Sequence, residues 1–363
     1  MKKTIAMLLS LTMLTGLLAG CGNSEAASSA APAQESVGAA ETTAPAAEET
    51  SAQAPEASAE ESVKEEAGSV QEEAASAEEE EENYETGDAS LDDTRNQDEI
   101  GEQELLVVSF GTSYNDSRRL TIGAIEGAIA DACPDYSVRR GFTSQIIIDH
   151  VKRRDNVSID NVTEALDRAV ANGVKTLVVQ PTHLMNGLEY NDLVDEIAQY
   201  SDAFEQVSIG EPLLTSDEDF QAVAQAIVDA TKEYDDGKTA ICFMGHGTEA
   251  ESNQVYAKMQ SVLTDMGCTN YFVGTVEATP SLDDVLKLVQ EGDYERVVLE
   301  PLMVVAGDHA NNDMAGDDAD SWKSTFEAAG YEVVPVVRGL GELEAIQKIY
   351  VQHAQEAIDA LKQ

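Results

Sequence analysis

Two histidines and a glutamate stand where metal ligands would serve best. His246 ends the run Cys242-Phe243-Met244-Gly245-His246, Glu277 follows the apolar stretch Phe272 to Val276, and His309 closes Val305-Ala306-Gly307-Asp308-His309. Each lies just past a strand-like run, and in open parallel α/β sheets ligands bind beyond the carboxyl ends of the strands. Two imidazoles and one carboxylate leave coordination positions open, which suits Co²⁺, Zn²⁺, Ni²⁺ or Fe²⁺ acting on a bound substrate, whereas a structural site would close its shell. Taken singly, each residue has an ordinary explanation. His246 could be a hydrogen-bonded loop residue, Glu277 a cap for a helix opening near Ser281, and His309 an imidazole paired in a loop with Asp308, Asp313, Asp317 and Asp318. Their coincidence at three successive strand ends points to a metal site.

The elements that must position them repeat. Strands are predicted at Leu105 to Phe110, Val138 to Phe142, Thr176 to Gln180 and Gln206 to Gly210, separated by stretches of helical period such as Ser117 to Ala132, Val162 to Asn172 and Tyr190 to Tyr200. The same order returns at Thr239 to Met244, Tyr271 to Thr275, Arg296 to Glu300 and Glu332 to Val336. Strand and helix alternating in this way predict an α/β fold with parallel sheets covered by helices on both faces. Local residues repeat too: Phe110-Gly111-Thr112 with His246-Gly247-Thr248, Gly141 to Ser144 with Gly274 to Glu277, and Gln180-Pro181, Gly187 and Glu189 with Glu300-Pro301, Gly307 and His309. Two similar domains are expected, 105–236 and 237–363, divided at the turn-rich Asp235-Asp236-Gly237.

Charge sets the excluded partners. The 363 residues carry a formal net charge of -47, and without a basic face to release counterions nucleic acid is excluded as a partner. Residues 1–21 read as a secretory signal, with Lys2 and Lys3 before the apolar run Ile5 to Leu18, too short for a stable span. Its end, Leu18-Ala19-Gly20-Cys21, resembles the lipobox of bacterial lipoproteins, in which the cysteine is lipidated. Cys21 is therefore expected to anchor the chain to a membrane surface outside the cytoplasm. Residues 22–104 hold 25 acids against Lys64 and Arg95, with Tyr84 the only aromatic. Such a segment cannot bury enough surface to fold and is expected to act as a disordered acidic linker, spanning roughly 50 Å or more. Cys133, Cys242 and Cys268 form no CxxC pair and suggest no disulfide framework.

A family resemblance carries the reading further. Leu105 to Tyr114, Phe142-Thr143-Ser144, Asn186 to Tyr190, Met244 to Gly247, Val276-Glu277, Pro301 to Ala310, Asn312 to Ala315, Asp317-Asp318, Asp320 to Lys323 and Gly339 to Glu342 run in the order seen in the CbiK family of sirohydrochlorin cobaltochelatases, anaerobic class II chelatases. The resemblance covers about residues 104 to 360. It implies two similar Rossmann-like, chelatase-type domains with a cleft between them, and ATP-independent insertion of Co²⁺ into a tetrapyrrole. It also implies that His246, Glu277 and His309 hold the metal. Their first-half counterparts are Phe110, Ser144 and Glu189, which together cannot form a second site; Ser144 and Glu189 are expected to face the tetrapyrrole, and Glu189 could carry protons. The basic residues Arg118, Arg119, Arg139, Arg140, Lys152, Arg153 and Arg154 could meet its carboxylates. Export departs from the usual cytoplasmic setting of the family and opens an alternative: a surface lipoprotein that binds or demetallates haem or another metallo-tetrapyrrole for uptake. A homo-oligomer is compatible with either reading.

Overall fold

The computed structural model describes residues 86–362. The expected signal, the anchor Cys21 and linker residues 22–85 lie outside that range. In chain order the elements are β1 (Gln103–Ser109), α1 (Asn115–Leu120), α2 (Ile122–Ala132), β2 (Ser137–Phe142), α3 (Gln145–Asp155), α4 (Val162–Ala171), β3 (Thr176–Pro181), α5 (Leu188–Gln199), β4 (Gln206–Ile209) and α6 (Asp217–Thr231). They continue as β5 (Thr239–Gly245), α7 (Gln254–Asp265), β6 (Tyr271–Thr275), α8 (Leu282–Gln290), β7 (Arg296–Pro301), α9 (Trp322–Ala328), β8 (Glu332–Pro335) and α10 (Glu344–Ala360). Two parallel four-stranded sheets result, ordered β2-β1-β3-β4 and β6-β5-β7-β8, so the second repeats the first strand for strand. This is the α/β fold with parallel sheets expected from the alternation. The strands fall within one or two residues of their predicted bounds.

Burial explains the sequence pattern. In β1, Leu105 to Val108 are wholly buried, and all of β5 is buried. A central parallel strand covered on both faces has to be apolar throughout. One face of β1 contributes Leu105 and Val107 to a core that also takes Ile241, Phe243 and Val298 from the second sheet. The other face, Leu106 and Val108, packs with Leu166 and Ala169 of α4.

The halves exchange helices. The C-terminal α10 packs on α2, β3 and β4 of the first sheet, while α6 lies against α7 of the second half. Tyr350 of α10 donates from its hydroxyl to the carbonyls of Thr182 and His183. His353 on the same helix contacts Asp219 of α6 at 3.1 Å and the Glu211 carbonyl at 3.1 Å. Residues 86–362 accordingly fall within one compact unit.

Two expectations are corrected. The linker was expected to run unstructured to residue 104, but from Thr86 the chain is laid against the first half. The Thr86 carbonyl accepts from Asp116 N at 2.8 Å, and Asp92 bonds Arg118 and Arg140, each at 2.7 Å. Burial would raise the Asp92 carboxyl, but the two guanidinium groups outweigh it and hold it below the usual carboxylate range. The second correction concerns the basic cluster. Arg118, Arg139 and Arg140 are fully buried and committed to carboxylates of the same half: Arg139 to Glu104 and Asp160, Arg140 to Glu126 and Asp92. They are spent on internal pairing and cannot meet a substrate. Cys133, Cys242 and Cys268 are free thiols. No helix among the described residues is long and apolar enough to cross a membrane.

Candidate metal centre

The three predicted ligands come together. One side-chain donor atom from each of His246, Glu277 and His309 lies within 4.8 Å of the other two. Backbone geometry brings this about. The β5–β6 pairing runs to Gly245 opposite Thr275, and two further bonds, Val276 N to Gly245 O at 3.0 Å and Glu277 N to His246 O at 2.9 Å, carry it past the strand ends. His246 and Glu277 therefore sit side by side, with His246 Nδ1 at 3.6 Å from Glu277 Oε2. Directly after His246 the chain turns at Gly247, whose φ of 92° favours glycine; a Cβ there would come within 2.8 Å of Ala278 N. The capping explanation for Glu277 does not apply, because Ser281 and Asp284 form the capping box of α8 between themselves.

His309 arrives from the loop after β7. It caps a π-helical turn, Ala310–Met314, anchored by buried Met314 and Trp322. Turns of this kind recur at functional sites, where they re-aim a side chain. His309 and His246 meet edge to face, with ring centroids 4.6 Å apart at 87°. Asp313, one turn on, contacts His309 Nδ1 at 2.7 Å, while His246 Nδ1 lies 2.8 Å from the Gly247 carbonyl. Both Nδ1 atoms thus face oxygen acceptors and serve as donors, which leaves both Nε2 lone pairs free to take a metal, the usual arrangement for an imidazole that ligates one. Asp313 also pushes the His309 pKa up; burial opposes it, and Asp308 and Glu277 add to it.

The first-half counterparts are arranged differently. Phe110 occupies the place of His246, before Gly111 with φ 107°, and is 45% exposed. The hydroxyl of Ser144 caps α3 by accepting from Ile147 N, while its neighbours Thr143 and Gln145 line a pocket of about 340 Å³ shared with Phe110, Asn161, Glu189 and Asp192. Glu189 lies in the first turn of α5. Burial pushes its carboxyl up and His246 pulls it down, although with 53% of the side chain exposed water screens both effects.

Two residues escaped the sequence reading in their roles. Asp313 was counted only as part of an acid-rich loop, and its spacing of four from His309 was the available signal. His183, two residues past the end of β3, is buried beside Glu189, with Nε2 3.8 Å from Glu189 Oε2. Its repeat counterpart is Met303, so the internal symmetry hid it.

Comparison with known proteins identifies the family. Residues 103–359 match the family model described as cobalt chelatase (CbiK). The sirohydrochlorin cobaltochelatase of Salmonella typhimurium is 38% identical over 255 residues, 70% of this chain and 96% of that protein. The sirohydrochlorin cobaltochelatase CbiKC of Nitratidesulfovibrio vulgaris is 31% identical over 279 residues, covering 75% and 97%. Among solved structures, SirB from Bacillus subtilis with Fe³⁺ shares the fold at a TM-score of 0.52 and 14% identity, over 72% of this chain and 98% of that one. With a family match over most of its length and relatives covered almost end to end, the chain is a chelatase of the CbiK family.

Proposed function

We propose that the protein inserts Co²⁺ into sirohydrochlorin without ATP, with His246, Glu277 and His309 holding the incoming metal. The observation that carries this reading is the convergence of the three donor atoms within 4.8 Å, in a chain of the CbiK family. A metal held by three protein ligands keeps positions free for the ring nitrogens. Insertion requires loss of two pyrrole protons and stepwise exchange of protein ligands for ring nitrogens. Neutral His246 and His309 bind Co²⁺ through Nε2, and an imidazole released by that exchange can accept a proton as a general base. Glu277 offers an anionic oxygen that offsets part of the metal charge. Ligand exchange favours this open arrangement, since a closed shell would retain its metal. Other divalent ions of similar chemistry, Fe²⁺, Ni²⁺ and Zn²⁺, fit the same donor set.

The test follows the visible spectrum of sirohydrochlorin with Co²⁺ and purified protein. His246→Ala and His309→Ala are expected to lower the insertion rate by about 100-fold or more. Wild-type rates in both variants would overturn the ligand assignment.

The N-terminal sequence supports placement outside the cytoplasm, with Cys21 lipidated and made the new N-terminus and the domain held off the membrane by the acidic segment. Replacing Cys21 by Ala should move the protein from the membrane to the soluble fraction; an unchanged distribution would remove the anchor. That location favours a second reading, capture or demetallation of haem or another metallo-tetrapyrrole for uptake. Stoichiometric tetrapyrrole binding with no acceleration of metallation would select it.

A further inference from the structure

One buried side chain near the site lacks a partner that the fold would normally supply. The side chain of His183 is 6% exposed, yet neither ring nitrogen makes a hydrogen bond among the described residues. Leaving a buried polar group unsatisfied costs about 1–3 kcal/mol, so such groups ordinarily find a partner. The backbone around it is held firmly. Thr182 N donates to Val108 O at 2.8 Å, Leu213 N donates to His183 O at 3.0 Å, and the Tyr350 hydroxyl bonds the Thr182 and His183 carbonyls at 2.9 and 3.3 Å. Three parts of the chain therefore fix where the ring sits while leaving its nitrogens free. Nε2 faces Glu189 Oε2 at 3.8 Å, about 1 Å beyond a hydrogen bond. Hydrogen bonds of this kind are often long without substrate and tighten in the reacting complex.

We infer that His183 is a positioning residue for Glu189: with a tetrapyrrole bound, its Nε2–H bonds the Glu189 carboxylate and holds it to receive a proton from a pyrrole nitrogen. In that step a pyrrole N–H bond breaks and an O–H bond forms at Glu189. The electron pair stays on the pyrrole nitrogen, which becomes a metal ligand, and Glu189 later passes the proton to water. No oxidant or reductant is needed. In this division of labour the triad on the second half would hold the metal and Glu189 on the first half would take one of the two protons.

The state of His183 fits this role. Burial pulls its pKa down to about 4, so at neutral pH it is an uncharged donor that leaves Glu189 free to accept. Besides burial, the charges that act on Glu189 are those of His246 on the second half, which lowers its pKa, and Asp192 on its own helix, which raises it.

The inference rests on the chelatase reading, and its test separates the two. His183→Gln places an amide N–H near the position of Nε2, whereas the shorter His183→Asn places it near Nδ1; a merely structural role would treat these alike. Initial rates of Co²⁺ insertion into sirohydrochlorin are measured across pH for wild type, both variants and Glu189→Gln, with Co²⁺ binding followed by calorimetry. Expected are near wild-type kcat for His183→Gln and a loss on the order of tenfold or more for His183→Asn and Glu189→Gln. The acid limb of the kcat profile should move to higher pH in His183→Asn, because a carboxylate deprived of its donor holds its proton more tightly, while Co²⁺ affinity stays unchanged. Equal kcat and equal acid limbs in the Asn and Gln variants, or unimpaired Glu189→Gln, would overturn the inference alone. A wild type that accelerates no metallation would overturn the chelatase reading and this inference with it.

Discussion

The two halves share a strand order, a glycine turn at corresponding strand ends and similar loop motifs, yet they invest their polar residues in different places. In the second half, β6 carries Phe272 and Val273 where β2 carries Arg139 and Arg140. The second sheet buries a single strand carboxylate, Glu300 of β7, which pairs with Arg338, and presents His246, Glu277 and His309 past its strand ends. The first sheet buries its arginines in a network with Asp92, Glu104, Glu126 and Asp160, and ends its strands in Phe110 and Ser144. A backbone frame thus supplies positions only. Whether a strand end becomes a metal centre depends on side chains that a duplicated chain can change independently in each copy.

The largest expected effect breaks the first-half network. Arg140→Met leaves Glu126 and Asp92 with fewer partners in a buried setting and should destabilise the protein by about 3–5 kcal/mol in urea unfolding, because an uncompensated buried charge cannot recover its hydration. Val273→Ala, the counterpart truncation in the second half, removes only apolar contact and should cost about 1–2 kcal/mol. Equal losses would show that the arginine network contributes no more than packing.

Next in size is the latch between the halves. Burial would lower the pKa of His353, but its bond to Asp219 outweighs that and raises it; Asp219 in turn is lowered by His353 and Ser216 against the effect of burial. The raised histidine contributes stability that is full below its unfolded value, about 6.5, and lost as pH rises through its folded pKa. The lowered aspartate contributes stability that is full above about 3.9 and lost as pH falls. The pair should therefore stabilise most between about pH 4 and 6.5. There His353→Gln is expected to cost about 1.5–3 kcal/mol, and less at pH 9, as read from Tm across pH. A Tm difference that does not vary with pH would remove the ion pair from the account.

A smaller effect sharpens the comparison at the metal centre. The first-half counterpart of His309 is Glu189, which has a histidine beside it where His309 has Asp313. Asp313→Ala should weaken Co²⁺ binding roughly tenfold in calorimetry through loss of imidazole orientation, leaving the fold intact. Unchanged affinity would mean that the π-helical turn alone orients His309.

Much of this was legible in the chain. Strand positions were readable because central parallel strands must be continuously apolar, and the triad was readable because its members follow such runs. The linker end and the pairing of Arg118, Arg139 and Arg140 were not legible for a shared reason: Asp92 and Arg140 are 48 positions apart in sequence, and charge counts cannot show which opposite charges meet. His183 was missed because a lone histidine after Pro181 carries no pattern, and its meaning lies in what fails to touch it.

By itself the sequence determined the alternation of strands and helices, the internal repeat and which three residues follow successive strands of the second half, since these depend on local periodicity and on neighbours along the chain. Only the tertiary structure decided that the halves exchange helices, that Arg118, Arg139 and Arg140 are sealed inside, and that Glu189 lies beside His183. Those outcomes are set by long-range packing, in which burial and pairing depend on residues far apart in the sequence.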